Sequence, residues 1–390
     1  MGNMNADRRS VPTRAQRRRL ALATRPAVES FILIVATALV ALEGRASLAG
    51  TFGHHVGAAY QPYVGQSPDG GKTYPAWNSY DSGNWSVQKQ VSQWVAPRFS
   101  LLATYGAGTR PDTTPGTPLN KLDSNSLVAG AAANYNNQAK FLAVIVSQGI
   151  SQQVQSGSLD TVHTITEIND AFKIAEAANN TFPGTVKRLI FTNEYVTNAT
   201  TTNQVDQLIN MKPDLQGQPP PPSYKPSYKS YKEWANGMGL TVGVRSNTFG
   251  QLNDLNSPYL KELRTLVKDV DFIMLNLYPD ETKDPIQGAN QVTIAYNMIM
   301  KAAKAQNSNI EVLIGETGWS SDDTPAGRQN ERNYFDTIRA WANKYLVETY
   351  VFEAIDEPWK HNQNQDHYGL MYYNASDNTG GYVLKWDLRP

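Results

Sequence analysis

Eight short apolar, β-rich runs recur along the chain, at residues 56–60, 101–105, 141–146, 188–192, 240–244, 271–276, 311–315 and 348–352. They begin about 42 residues apart, and helical patterns fill the intervals. A strand joined to the next by a helix pairs with it in parallel, because the crossover returns the chain to the same end of the sheet. The helices show as apolar faces. Trp85, Val87, Val91, Trp94 and Val95 follow the first run, and an Ala-rich stretch covers 124–138. Ile165, Ile168, Phe172 and Ala175 share one face of a third helix, and Tyr334, Phe335, Ile338, Trp341, Ala342 and Tyr345 mark another. Eight such units over about 335 residues predict an α/β protein with a single closed (β/α)8 barrel, a TIM barrel. An open, doubly wound sheet is the alternative. It is disfavoured because no strand–turn–helix carries a Gly-rich phosphate loop.

Two segments stand outside this rhythm. Residues 213–232 read PDLQGQPPPPSYKPSYKSYK, and four consecutive prolines fit neither a helix interior nor a central strand. They predict a surface loop between strands four and five, on the side away from the active-site face. It is either a flexible insert without function or a contact for a glycan or the cell envelope. Ahead of the barrel, residues 1–49 form a separate export element. Eight arginines there oppose Asp7, Glu29 and Glu43, so a neutral chain with 35 basic and 35 acidic residues hides a tail of +5. The arginines precede an apolar run at 31–42, which is shorter than the ~20 residues of a membrane span. A basic stretch, an apolar core and Ala46-Ser-Leu-Ala49 are the layout of a secretory signal. An uncleaved anchor over residues 26–42 is the rival reading. Basic residues before the apolar run keep the N-terminus in the cytoplasm. Residues 50–390 are therefore expected outside it, periplasmic or secreted, or tethered to the inner membrane.

Cysteine is absent, so disulfides, zinc–thiolate sites, iron–sulfur clusters and thiol nucleophiles are excluded. The five histidines have no metal-ligand spacing on a helix, and no metal or cofactor is expected. An uncharged barrel with 20 Tyr, 11 Phe and 8 Trp suits an uncharged substrate that stacks on rings, such as a polysaccharide, although core packing alone also uses aromatics. A nucleic-acid role for the arginine run is disfavoured by the apolar segment that follows it. A monomer is expected.

In a barrel of this kind chemistry takes place at the C-terminal ends of the strands. Glu194 ends the fourth run and Glu316 ends the seventh. Strands four and seven lie on opposite sides of an eight-stranded barrel, so their carboxyl groups can face each other across its mouth. One protonated and one ionised carboxyl are what glycosidic cleavage requires. Two unrelated glutamates in βα loops remain the alternative from spacing alone.

Several segments carry a more specific likeness: Tyr60-Gln-Pro-Tyr63, Thr104-Tyr-Gly106, Asn193-Glu194, Leu275-Asn-Leu-Tyr-Pro279, Ile314-Gly-Glu-Thr-Gly-Trp-Ser320, Tyr350-Val-Phe-Glu-Ala-Ile-Asp-Glu-Pro-Trp-Lys360 and His367-Tyr-Gly-Leu370. In this order the chain resembles family 17 of the glycoside hydrolases, a (β/α)8 family acting on β-1,3-glucans, and its bacterial branch more than the plant branch. The resemblance implies that Glu194 is the acid/base and Glu316 the nucleophile of a retaining enzyme of the glucan β-1,3-glucosidase type. Retention implies carboxyl groups about 5–5.5 Å apart. Asn193 is placed to bind the sugar 2-OH, and Asn276 belongs to the same substrate-binding set. Tyr278 is placed to hold Glu316 ionised, and Tyr60, Tyr105, Trp319 and Trp359 are candidates for stacking on pyranose rings. Glu357 and Lys360 orient one another or bind hydroxyls, while Glu353, Asp356 and Glu357 are acids after strand eight that could be mistaken for the proton donor. Thr192 stands where the family has glycine, which touches the substrate pocket but removes no carboxylate. Two rival functions remain: a β-glucan transglycosylase using the same glutamates, and a non-catalytic glucan-binding protein.

Overall fold

In the computed structural model the eight runs become eight strands: β1 (Val56–Ala59), β2 (Leu101–Ala103), β3 (Ile145–Gly149), β4 (Val186–Asn193), β5 (Thr241–Ser246), β6 (Phe272–Asn276), β7 (Glu311–Thr317) and β8 (Thr349–Val351). Each pairs in parallel with its neighbour in sequence, and β8 closes the barrel on β1 with Tyr350 opposite Gly57. The structure describes residues 52–62, 87–108, 125–152, 154–155, 158–322, 324–357, 365–374 and 381–386. All lie in the second of the two units into which the chain divides, Gly50–Pro390. The expected export element at 1–49, with its tether at 26–42, falls outside the described residues, as do Trp85, Trp359 and Lys360. Among the described residues no helix is long and apolar enough to cross a membrane.

The helices that wrap the barrel are α1 (Val87–Gln90), extended by a π-turn at Val91–Val95, α2 (Asn125–Ala139), α3 (Thr161–Thr181), α4 (Ala199–Asn210), α5 (Tyr231–Gly237), α6 (Leu260–Asp269), α7 (Pro285–Gln306) and α8 (Pro325–Tyr345). Caps set where several of them start. Asp160, Asn198, Ser230, Asp284 and Thr324 each accept a backbone N–H of the first turn, and Pro285 and Pro325 open α7 and α8. The third strand begins four residues later than the apolar run does. Asn136 of α2 explains the delay: its side-chain oxygen accepts the N–H groups of Ala143 and Val144 at 2.9 and 2.8 Å, so this stretch is tied to a helix and not to the ladder. A C-terminal antiparallel hairpin, β9 (Met371–Asn374) and β10 (Gly381–Leu384), lies against the chain after β8 through the Ile355–Met371 bridge.

Barrel strands are enclosed on both faces, so both faces are apolar. Outward-facing residues and the helices form the larger core, while Leu101, Ala103, Ile190, Phe272, Met274, Leu313 and Tyr350 fill the lumen. Polar groups occupy the two ends of that lumen. At the N-terminal end the wholly buried Arg188 pairs with Glu311 at 2.9 Å and Glu348 at 2.7 Å. At the C-terminal end stand Arg245 and Glu316, both buried.

The Pro-rich segment lies between α4 and β5, on the side that receives the N-terminal ends of the strands. It is packed along α3. Pro219, Pro221 and Pro222 face Lys173, Glu176 and Asn180 across a shallow cleft. Ser223 N–H donates to the Glu176 carboxylate at 2.9 Å, and the Tyr224 ring meets Trp234 at 5.3 Å.

Candidate active site

Glu194 follows the last residue of β4 with φ 58°, in the left-handed region that a residue bearing a Cβ seldom adopts. Two hydrogen bonds hold this turn. The Glu194 N–H donates to the Arg245 carbonyl at 3.0 Å, and the Tyr195 N–H donates to the Thr192 hydroxyl at 3.1 Å. Thr192 thus closes the turn around Glu194. The Glu194 side chain is exposed, and Asn276 Nδ2 donates to its Oε1 at 2.9 Å. Asn276 ends β6 and stands opposite Glu316 in the β6–β7 ladder.

Glu316 has a different environment. It is 5% exposed, its Oε2 accepts the Tyr278 hydroxyl at 2.9 Å, and its Oε1 lies 3.6 Å from Arg245 Nε. Arg245 is wholly buried at the end of β5. Its Nε donates to Asn193 Oδ1 at 3.1 Å, a terminal nitrogen donates to the Thr104 carbonyl at 3.3 Å, and the guanidinium lies 4.5 Å over the Tyr105 ring. Tyr278 is 43% exposed as a residue, but its hydroxyl donates to Glu316, which is buried. Burial of that hydroxyl, then the Glu316 charge, push Tyr278 well above the ordinary tyrosine range, so it is a proton donor and not a phenolate. Tyr105 is raised in the same way, by burial first and then by Glu316, with Glu353 and Glu357 adding to the shift and Arg245 opposing it.

The structure therefore gathers Glu194, Glu316, Asn193, Asn276, Tyr278, Tyr105 and Glu357 at one mouth of the barrel. Two of the expected stacking residues are elsewhere. Tyr60 is 1% exposed and donates its hydroxyl to the Gln90 side chain. Trp319 is 5% exposed, its ring lies 5.7 Å from Tyr334, and a Cβ on Gly288 of α7 would come within 2.9 Å of it. Neither offers a free face to a sugar; both follow strands so closely that the helices cover them. Trp359 and Lys360 lie outside the described residues. Glu357 is buried, and Asp356 is ion-paired to Lys385 at 2.9 Å.

Three residues at or around the mouth are invisible in the motifs. Arg245 directly follows the apolar run 240–244 and belongs to none of the motifs. The available signal was parity: side chains alternate along a strand, and Gly243 and Arg245 share the lumen side. Glu281 accepts the Ser320 N–H at 2.9 Å and the Tyr368 hydroxyl at 2.8 Å, tying the loops after β6, β7 and β8 together at the rim. Lys385 reaches Asp356, the Ser321 hydroxyl and the His367 carbonyl, and so joins the hairpin to the loops after β7 and β8.

No protein-family model matches the chain, and no curated protein matches it in sequence. Its fold is similar to that of solved glycoside hydrolases. An endo-laminarinase from Formosa Hel1_33_131 superposes with a TM-score of 0.56 at 16% identity, covering 82% of this chain and 83% of that one. A glycoside hydrolase family 17 β-1,3-glucanosyltransferase from Rhizomucor miehei gives 0.45 at 18% identity over 71% and 83% of the two chains. An active-site mutant of the Rhizomucor miehei β-1,3-glucanosyltransferase, in complex with laminaritriose, gives 0.48 at 16% identity over 84% and 94%. At these identities the likeness is one of fold.

Proposed function

We propose that the chain is a retaining glycoside hydrolase that cleaves β-1,3-linked glucans through a glycosyl-enzyme on Glu316. One observation carries the reading: two glutamates at the ends of β4 and β7 have opposite surroundings. Glu316 is enclosed and held by a hydroxyl donor and a guanidinium, both of which favour its carboxylate form. Glu194 is open to solvent, and among the described residues its carboxylate is held on Oε1, by a neutral amide. That leaves Oε2 of Glu194 to carry the transferred proton.

In the first step a Glu316 oxygen attacks the anomeric carbon, the C1–O bond breaks, and the leaving oxygen takes the proton from Glu194. In the second, Glu194 takes a proton from water, whose oxygen attacks C1 and releases the Glu316 carboxylate. Asn193 contributes an oriented amide. Its Oδ1 is occupied by Arg245, so its NH2 end is the one available to the sugar 2-OH. Asn276 fixes Glu194, and Tyr278 offers both a hydroxyl to the nucleophile and an exposed ring to the substrate.

Incubation with laminari-oligosaccharides, followed by mass analysis, tests this. Shorter products are expected. Longer products replace hydrolysis by glycosyl transfer on the same glutamates, and an unchanged substrate overturns the reading in favour of binding alone. Export is part of the proposal: residues 1–49 fused to a periplasm-dependent reporter are expected to activate it, and a cytoplasmic reporter overturns this part.

A further inference from the structure

We propose that Arg245 is a positioning residue for the nucleophile: it holds Glu316 in place as a carboxylate, turns the Asn193 amide toward the sugar, and occupies space that Gly315 leaves open. The inference rests on the reading of Glu316 as nucleophile. A wholly buried guanidinium is costly unless its charge is matched. Its hydrogen-bond acceptors, Asn193 Oδ1 and the Thr104 carbonyl, are neutral, and one terminal nitrogen has no hydrogen-bond partner among the described residues. The matching charge is Glu316, 3.6 Å away.

The groups around Glu316 make that cation necessary. Tyr278 faces it from the loop after β6, Tyr105 from the end of β2 and Arg245 from β5. Glu353 and Glu357, after β8, are both buried and act on the same Tyr105. Glu194 stands at the mouth beyond Asn276. Among these described residues Arg245 is the cation that pairs with Glu316, and the carboxyls nearby repel one another, which favours protonation of the most enclosed one. A protonated Glu316 cannot attack carbon. Arg245 therefore keeps the nucleophile in its working form while the neighbouring acids stay in the site.

Gly315 supplies the room. A Cβ there would lie 3.0 Å from both Cγ and Cδ of Arg245 and 2.8 Å from Cβ of Met274. The glycine before the nucleophile thus has a side-chain reason and not a backbone one, since its φ is not in the left-handed region.

The test uses the full chain with Arg245→Met, Arg245→Lys and Gly315→Ala. Two quantities are read: kcat/KM against pH on a laminari-oligosaccharide, and the titration of the Glu316 carboxyl by carbon NMR, assigned with Glu316→Gln. An opposite charge at this range lowers a carboxyl by about 1–3 pH units, so Arg245→Met is expected to raise the Glu316 midpoint and the acid limb by that amount. Activity lost at low pH should return as the pH is raised, which a purely structural defect would not show. Arg245→Lys restores the charge and should bring the midpoint back toward the wild type while leaving a residual loss in kcat from the unheld Asn193 amide. Gly315→Ala crowds the Arg245 stem at Cγ and Cδ, and Met274 beside it, and should move the midpoint in the same direction as Arg245→Met, by less. If Arg245→Met does not fold, the Gly315→Ala shift decides. A Glu316 midpoint unchanged in Arg245→Met, or displaced equally by lysine and methionine, overturns the proposal. The titration needs no turnover. A wild-type chain that cleaves no β-1,3-glucan would overturn the functional reading, while the midpoint still decides the role of Arg245.

Discussion

Replacing Tyr278 by phenylalanine removes one oxygen from the site and keeps everything else. That oxygen donates to Glu316 Oε2 at 2.9 Å, and Glu316 is 5% exposed, so little water is at hand to replace it. A hydrogen bond to a charged group contributes about 1.5–3 kcal/mol. At about 1.4 kcal/mol per factor of ten, the expected loss in kcat/KM is about 10- to 100-fold. The ring stays, with its edge contacts to Phe352 and Tyr368 at 6.0 and 6.2 Å, so the melt should stay cooperative, its midpoint lowered by no more than the loss of that one bond. The pH dependence gives a second check. Losing a donor to the carboxylate moves the acid limb upward. The basic limb should stay where it is, because burial and the Glu316 charge keep the Tyr278 hydroxyl protonated well above the ordinary tyrosine range. The assay is initial rate on a laminari-oligosaccharide from pH 4 to 10, with a melt of each protein. An unchanged kcat/KM, or a loss accompanied by a collapsed melt, would refute the idea that the hydroxyl acts on the nucleophile.

Three further outcomes are expected. Azide added to Glu194→Ala on an activated substrate should restore turnover and give a β-glycosyl azide, whereas an α-azide means that the roles of Glu194 and Glu316 are reversed. Arg188→Met should lower stability by about 3–5 kcal/mol, because it leaves Glu348 and Glu311 without their buried cation, yet kcat/KM should hold, since this cluster lies at the opposite end of the lumen; a large fall in kcat at full folding contradicts that separation. Glu331 on α8 is 2% exposed, and burial holds its carboxyl well above the usual range despite the opposing charge of Lys385. A raised folded-state pKa means that unfolding releases the proton, so its contribution falls as pH rises from the unfolded value toward the folded one. Glu331→Gln, which cannot titrate, should therefore gain on the wild type in melts as pH rises from 5 to 8, and a gap that stays constant or reverses counts against it.

Much of the architecture is legible in the sequence because a barrel repeats one local problem eight times. Runs such as 272–275 and 312–314 are apolar at successive positions, as suits a strand covered on both faces, and the helices between them show their own period. Boundaries are less legible. The delayed start of β3 depends on Asn136, a helix residue whose side chain competes for the backbone at 143–144. The Pro-rich segment is recognisable as an interruption, but its packing against Glu176 and Trp234 is set by neighbours outside it.

The amino-acid sequence by itself determined the number of barrel strands, the alternation with helices and the candidacy of Glu194 and Glu316, since each follows from residue type and position along one element. Only the tertiary structure decided which aromatic rings face the cleft. Tyr60, Trp319 and Tyr278 all follow strands, yet two are covered by helices and one stands at the mouth, because exposure depends on what packs from across the fold. It also decided the surroundings of the nucleophile. Arg245 lies 71 positions before Glu316 in the sequence, and no local pattern announces that both point into one lumen, with Gly315 leaving space for the arginine stem. An ion pair of this kind is a property of barrel closure, which brings β5 and β7 around a shared interior although β6 separates them in the sheet.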